Sequence, residues 1–170
     1  MSAYVTETTR AQGQLADLYV RHAPAAMRLA FLLTGDRTAA EDLVQEAFVR
    51  VTGRFGHLRV PDAFAAYLRR TIVNLHTSQL RRVRLERAHL GREGHAAPLD
   101  AMPDVDARED LWRELLRLPP RQRAAVVLRF YEDLSERETA EALRCSTAAV
   151  KSLVARAMGS LRARIGGQTA

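Results

Sequence analysis

Residues 134–164, LSERETAEALRCSTAAVKSLVARAMGSLRAR, read as two short helices around a tight turn. Ser135 and Glu138 have capping-box spacing, each side chain satisfying an orphan backbone N–H at a helix start. That helix is expected to run to about Leu143, with small Ala140 where a second helix must cross closely. Ser146 can cap the second helix. From there Val150, Leu153, Val154, Ala157, Leu161 and Ile165 recur at helical spacing as one inward stripe. The opposite face carries Ala148, Lys151, Ser152, Ala155 and Arg156. Short and cationic side chains on an exposed helix suit the major groove of DNA, where they allow close approach and reach bases and phosphates. A plain amphipathic hairpin has the same periodicity. The capped start, small crossing residue and three-residue turn together favour a DNA-binding helix-turn-helix.

The chain has 170 residues, 47% of them hydrophobic, which is room for one medium domain or two small helical ones. Its formal charge is +6, and Lys151 is the single lysine among 26 basic residues. That balance points to a polyanionic partner. Cys145 is the only cysteine, so the chain alone can form neither a disulfide nor a cysteine metal cluster. No apolar run approaches the ~18 residues of a membrane span, and MSAYVTETTR lacks the apolar core of a signal peptide. A soluble cytoplasmic protein without membrane attachment is expected. G-x-S-x-G, H-E-x-x-H and glycine-rich phosphate loops are absent, and His22, His57, His76, His89 and His95 are scattered. The expectation is therefore a protein that is not an enzyme, with no catalytic residue, cofactor, metal or small-molecule substrate.

Residues 1–12 read as a frayed tail. Leu15, Leu18, Tyr19, His22, Ala26, Leu29, Ala30 and Leu33 then form a helical stripe, with a kink or break expected at Pro24 and a C-cap at Gly35. Thr38 and Glu41 have capping-box spacing before a helix that buries Leu43, Val44, Ala47, Phe48 and Val51 and turns Asp42, Gln45, Glu46 and Arg50 outward. Gly53 closes it, and residues 54–61, RFGHLRVP, form a basic, aromatic loop. Pro61 and Asp62 begin the next helix, with Phe64, Tyr67, Leu68, Thr71, Ile72 and Leu75 inward. Arg69, Arg70, Asn74, His76, Thr77, Arg81, Arg82, Arg84 and Arg87 are expected on its outer, strongly basic surface, which suits nucleic acid. Residues 88–106 lose periodicity and turn acidic through Glu93, Asp100, Asp104 and Asp106. Leu111, Trp112, Leu115, Leu116 and Leu118 mark a short helix ended by Pro119 and Pro120, and Ala124, Val127, Leu128 and Tyr131 the apolar side of one more. The fold expected is all-α, with two small helical domains at 13–87 and 107–166 joined by a flexible acidic linker at 88–106.

Three stretches in this order resemble the extracytoplasmic-function (ECF) group of bacterial sigma-70 factors, in particular its SigE-like branch. TGDRTAAEDLVQEAFVRV at 34–51 is similar to the core-binding motif of region 2. AFAAYLRRTIVNLHTSQLRRVR at 63–84 is similar to its promoter-opening helix, and residues 118–162 resemble region 4. The resemblance implies a transcription initiation factor whose partners are promoter DNA and core RNA polymerase, through the β′ clamp helices and the β flap. Asp42, Gln45 and Glu46 match the clamp contact. Arg54, Phe55, His57, Arg69, Arg70, Asn74 and Thr77 fall where the family captures the melted minus-10 strand; Phe55 fits a core position equally well. Arg144, Ser146, Thr147, Ala148, Lys151, Ser152 and Arg156 fall where it reads the minus-35 duplex. Two departures stand out: Arg144 replaces the usual turn glycine, and Ala148-Ala149 replace the usual Gly-Thr. Positive φ at Arg144 would cost on the order of 1 kcal/mol, and its guanidinium offers a phosphate contact in return. The acidic linker matches a connector threaded through the polymerase channel, although a plain spacer has the same composition. An anti-sigma protein is a further expected partner, and no additional sensory domain is expected after residue 165. The competing reading is a LuxR-type regulator that shares the helix-turn-helix without being a polymerase subunit.

Overall fold

A computed structural model describes residues 2–53, 61–90 and 109–166. Among these the chain is helical throughout: α1 (Ser2–Thr34), α2 (Arg37–Thr52), α3 (Pro61–Leu90), α4 (Glu109–Leu116), α5 (Pro120–Val126), α6 (Glu136–Leu143) and α7 (Thr147–Gly166). The all-α class is as the sequence predicts.

Helix α1 is longer than expected. It begins at Ser2 instead of fraying to residue 12, and it passes Pro24 without a break. Proline in a helix interior removes one backbone bond; the packing of Ala26, Leu29, Ala30, Phe31, Leu32 and Leu33, all buried just after it, outweighs that loss. Gly35 ends α1 at φ +73°, a conformation glycine adopts without penalty, and its N–H reaches Phe31 O at 2.7 Å.

The start of α2 also differs. Its N-cap is Asp36, whose carboxylate accepts from Ala39 N at 2.7 Å, so Thr38 and Glu41 lie inside the helix and form no capping box. Aspartate is a strong N-cap, and Glu41 instead pairs with Arg37 at 3.0 Å along the surface. The inward residues Leu43, Val44, Ala47, Phe48 and Val51 are buried as expected, against Leu29 and Leu33 of α1 and Phe64, Leu68, Ile72 and Leu75 of α3. Phe64 stacks with Phe48 at 6.0 Å between ring centres and with His22 at 5.2 Å. Burying a phenylalanine this completely is worth about 2 kcal/mol.

The second group of helices closes on Leu115, Leu118, Ala124, Val127, Leu128, Leu143, Ala157 and Leu161, and these belong to one apolar cluster with the residues of α1–α3. The helix expected to reach Tyr131 is α only to Val126; residues Val127–Tyr131 wind as a π-helical turn that Glu132 N closes on Val127 O at 3.0 Å. The wider turn rotates Phe130 and Tyr131 outward to 61% and 41% exposure, so Tyr131 lies on a rim against Trp112 and outside the core. Ile165 is likewise 40% exposed, and the buried stripe of α7 ends at Leu161.

Candidate nucleic-acid interface and polymerase-docking face

The helix-turn-helix forms through the local chemistry read from its sequence. Ser135 Oγ accepts from Glu138 N at 3.2 Å, and Glu138 returns the bond to Ser135 N at 2.8 Å, which holds the Glu138 carboxyl below its ordinary range. Arg144 ends α6 in the left-handed region at φ 50°, ψ 54°. Arg144 N reaches Glu141 O and Cys145 N reaches Ala140 O, the paired bonds of a Schellman turn. Ser146 Oγ then accepts from Ala149 N at 3.1 Å and opens α7. Val150 is fully buried and seats α7 on α6.

On the outer side of α7, Thr147, Ala148, Lys151 and Arg156 are exposed, as is Ser146 ahead of it. Arg156 donates to Ser152 Oγ through Nε and Nη2 at 3.2 and 2.6 Å, so the two side chains are presented as a unit. Lys151 Nζ lies 3.5 Å from Glu136 Oε2, an exposed pair that a phosphate can displace at little cost. Arg144 is also exposed, and it lines a cleft of about 680 Å³ together with Arg50, Arg70 and Asn74.

The residues assigned to strand capture divide three ways. Arg54, Phe55 and His57 lie outside the described residues. Arg69 and Arg70 are exposed and Asn74 half-buried along α3, with Arg69 Nη1 paired to Glu132 Oε2 at 3.3 Å. Thr77 is buried, its hydroxyl donating to Ala142 O of α6 at 3.3 Å. His76 was expected on the same outer surface and is also buried. Thr77 meets α6 and His76 lies near the charge of buried Arg123 on α5, and helical periodicity within α3 carries no record of either neighbour.

On α2, Asp42 and Gln45 are exposed and Glu46 is half-buried, bound to Arg50 at 2.6 Å. Val49 stands on the same face by its spacing and is 71% exposed. The sequence reading missed it, although an apolar residue among outward polar positions was the available signal.

Arg123 was missed as well. It is buried on α5, and its guanidinium donates to Leu33 O (3.0 Å), Thr34 O (2.8 Å) and Leu116 O (2.7 Å). These carbonyls end α1 and α4, where helices leave acceptors unpaired and the dipole is negative. Burial draws Arg123 down to about 10, which leaves it charged at neutral pH. Burial first, and the Arg123 charge second, push His76 down to about 4; its Nε2 has no hydrogen-bond partner. A folded-state value depressed below the ordinary 6.5 means stability present above pH 6.5 and lost as pH falls toward 4. At pH 5 the expected loss is about 2 kcal/mol. Thermal melts at pH 7.5 and 5 should show a drop that His76→Gln removes, and an equal drop in the variant would assign it to other groups.

Residues 18–86 match the family model described as Sigma-70 region 2, and residues 108–161 match Sigma-70, region 4. The RNA polymerase sigma-E factor of Streptomyces coelicolor is 37% identical over 85% of this chain and 82% of its own length. The ECF RNA polymerase sigma factor SigE of Mycolicibacterium smegmatis is 33% identical over 86% of this chain and 59% of its own. In three dimensions the chain is similar to the sigma factor RpoE of Bartonella quintana, solved with the anti-sigma factor NepR, with a TM-score of 0.63 at 24% identity over 90% of this chain and 97% of that one. The chain belongs to the sigma-70 family, as an RNA polymerase sigma factor of the ECF group. Such a factor brings polymerase to promoters and initiates transcription; matches to both regions, in family order, leave no support for the LuxR-type reading.

Proposed function

We propose that the three faces divide the work of initiation as the family arrangement implies. The observation that carries this reading is the capped helix-turn-helix with Thr147, Ala148, Lys151 and Arg156 exposed along α7. With Ser146, Ser152 and Arg144 they form a surface for the minus-35 duplex: Lys151, Arg144 and Arg156 meet phosphates or bases, and small Ala148 lets the helix approach. The division into a region 2 unit at 13–87, an acidic connector at 88–106 and a region 4 unit at 107–166 belongs to the same proposal.

Asp42, Gln45 and Glu46 dock on the β′ clamp helices, and Val49 adds an apolar contact at the edge of that patch. Phe130, Tyr131 and Leu111, exposed on region 4, offer an apolar seat for the β flap. Arg69, Arg70, Asn74 and Thr77, with Arg54, Phe55 and His57, engage the melted minus-10 strand, cations tracking the backbone while a base enters a pocket. Work in the cytoplasm follows from these partners, and among the described residues no helix is long and apolar enough to cross a membrane. An anti-sigma protein is the expected regulator; the Bartonella relative was solved with one.

Permanganate footprinting tests strand capture. Holoenzyme carrying Arg70→Ala or Asn74→Ala should leave promoter thymines at least about fivefold less reactive than wild type, one lost base or backbone contact being worth about 1–3 kcal/mol. Undiminished reactivity in both variants would remove α3 from the opening step.

A further inference from the structure

Three arginines from separate parts of the chain line one cleft: Arg50 of α2, Arg70 of α3 and Arg144 at the end of α6. Among the described residues no carboxylate lines it, and neither Arg70 nor Arg144 has an ion pair. Arg50 has one, to Glu46 of its own helix, with both side chains largely open to water. Such an exposed pair yields readily to a more highly charged anion. Like charges brought together repel, so the complement of this cleft is an anion carrying several charges. Guanidinium groups are preferred partners of phosphate, which they meet with two parallel hydrogen bonds.

Helix α3 supplies most of the remaining wall. Tyr67, Arg70, Asn74 and Ser78 follow one another at spacings of three and four residues, as one stripe along the helix. The Asn74 amide and the Ser78 hydroxyl are neutral hydrogen-bonding groups beside the guanidinium, and Tyr67 and Leu75 add apolar surface. At about 680 Å³ the cleft has the size of a small-molecule site, for which about 300–1,000 Å³ is usual. A phosphate chain alone meets the arginines and leaves the apolar wall bare. A nucleoside carrying that chain covers both.

We propose that this cleft is a binding site for a free nucleoside polyphosphate, with Arg50, Arg70 and Arg144 on the phosphates and Tyr67 and Asn74 beside the nucleoside. It differs from the strand-capturing surface in drawing on Arg50 of α2 and on Arg144 of region 4. Arg70 and Asn74 serve both, so bound nucleotide and melted strand exclude one another. That consequence, unlike the site itself, rests on the function proposed above.

The test is a calorimetric titration of the full chain with ATP, without DNA or polymerase, in buffer free of phosphate, sulfate and divalent cations. One ATP should bind per chain, with a dissociation constant below about 1 mM. AMP, which lacks the chain of phosphates, should bind about tenfold more weakly or worse, and inorganic tripolyphosphate, which lacks the nucleoside, about threefold more weakly or worse. Arg144→Gly should weaken ATP about fivefold or more without cost to the fold, since glycine takes φ 50° more readily than arginine. Arg70→Ala, which removes an exposed side chain, should do the same. Arg162→Ala removes an exposed arginine outside the cleft and should change the affinity less than about twofold. Absence of saturable binding, equal losses in Arg144→Gly and Arg162→Ala, or tripolyphosphate binding as tightly as ATP overturns the proposal. Because no promoter is involved, either outcome is independent of the permanganate result.

Discussion

An Asp42→Arg, Glu46→Arg variant is expected to lose at least a hundredfold in affinity for core polymerase while melting within a few degrees of the parent chain. Asp42 is exposed and Glu46 half-buried on α2, and neither contributes to the apolar cluster beneath. Reversing Glu46 replaces its pair with Arg50 by a like-charge pair one turn apart, a local cost of about 0.2–0.5 kcal/mol. At an interface the scale is larger. Close charge pairs between proteins couple by about 1.5 kcal/mol or more each, and reversal adds repulsion to the lost attraction. Two reversals therefore remove roughly 3 kcal/mol or more, which is the hundredfold predicted. Immobilised core polymerase titrated with each variant reads the affinity, and circular dichroism checks the fold. Unchanged affinity would move the docking site off this face of α2.

Val150→Asp is the second large effect and acts on the other region. Val150 is 0% exposed and is one of the few fully buried side chains that seat α7 on α6. At a fully buried position, burying an unpaired carboxylate or its protonated acid costs several kcal/mol. A small helical unit has little stability in reserve, so the helix-turn-helix should melt and minus-35 binding should fall to the nonspecific level. Region 2 carries the larger apolar core around Phe64, Leu43 and Ile72 and should keep its helices. Hydrogen exchange resolved by region would show protection lost from α6–α7 and retained in α2. Retained protection in α6–α7 would mean that this core is not what holds the recognition helix.

Much of this protein is legible in its sequence because helices advertise themselves locally. The Ser135–Glu138 capping box, the Gly35 stop, the Ser146 cap and the buried faces of α2 and α7 all follow from spacings within one helix, and all are present. The failures share a different origin. Thr38–Glu41 has capping-box spacing in the wrong frame, because Asp36 two residues earlier is an equally good cap and takes the position. The π-helical turn at Val127–Tyr131 depends on one extra residue of winding, which apolar spacing over so few residues does not register. Burial of His76, Thr77 and Arg123 arises where one region meets the other. An arginine beside apolar neighbours reads as a surface residue until the carbonyl ends of α1 and α4 are brought to it. For the candidate site, the residue types and their helix faces were readable; that Arg144 shares a cleft with Arg70 and Asn74 was not.

Arg144 illustrates how structure revises the meaning of a departure. Positive φ costs an arginine on the order of 1 kcal/mol where glycine pays nothing. The turn adopts it nonetheless, at φ 50°, and the Schellman bonds hold it there. Arg144 lines the cleft beside α3 together with Arg50, Arg70 and Asn74.

The most direct test of the central claim is transcription from a DNA pool. Core polymerase is given templates with randomised minus-35 and minus-10 blocks, with and without this chain, and the transcripts are sequenced. An initiation factor predicts transcripts only when the chain is present, all drawn from templates sharing one sequence at each element, with the minus-35 preference lost in Lys151→Ala, Arg156→Ala. Selective retention of duplex by the chain with no added transcript would contradict it.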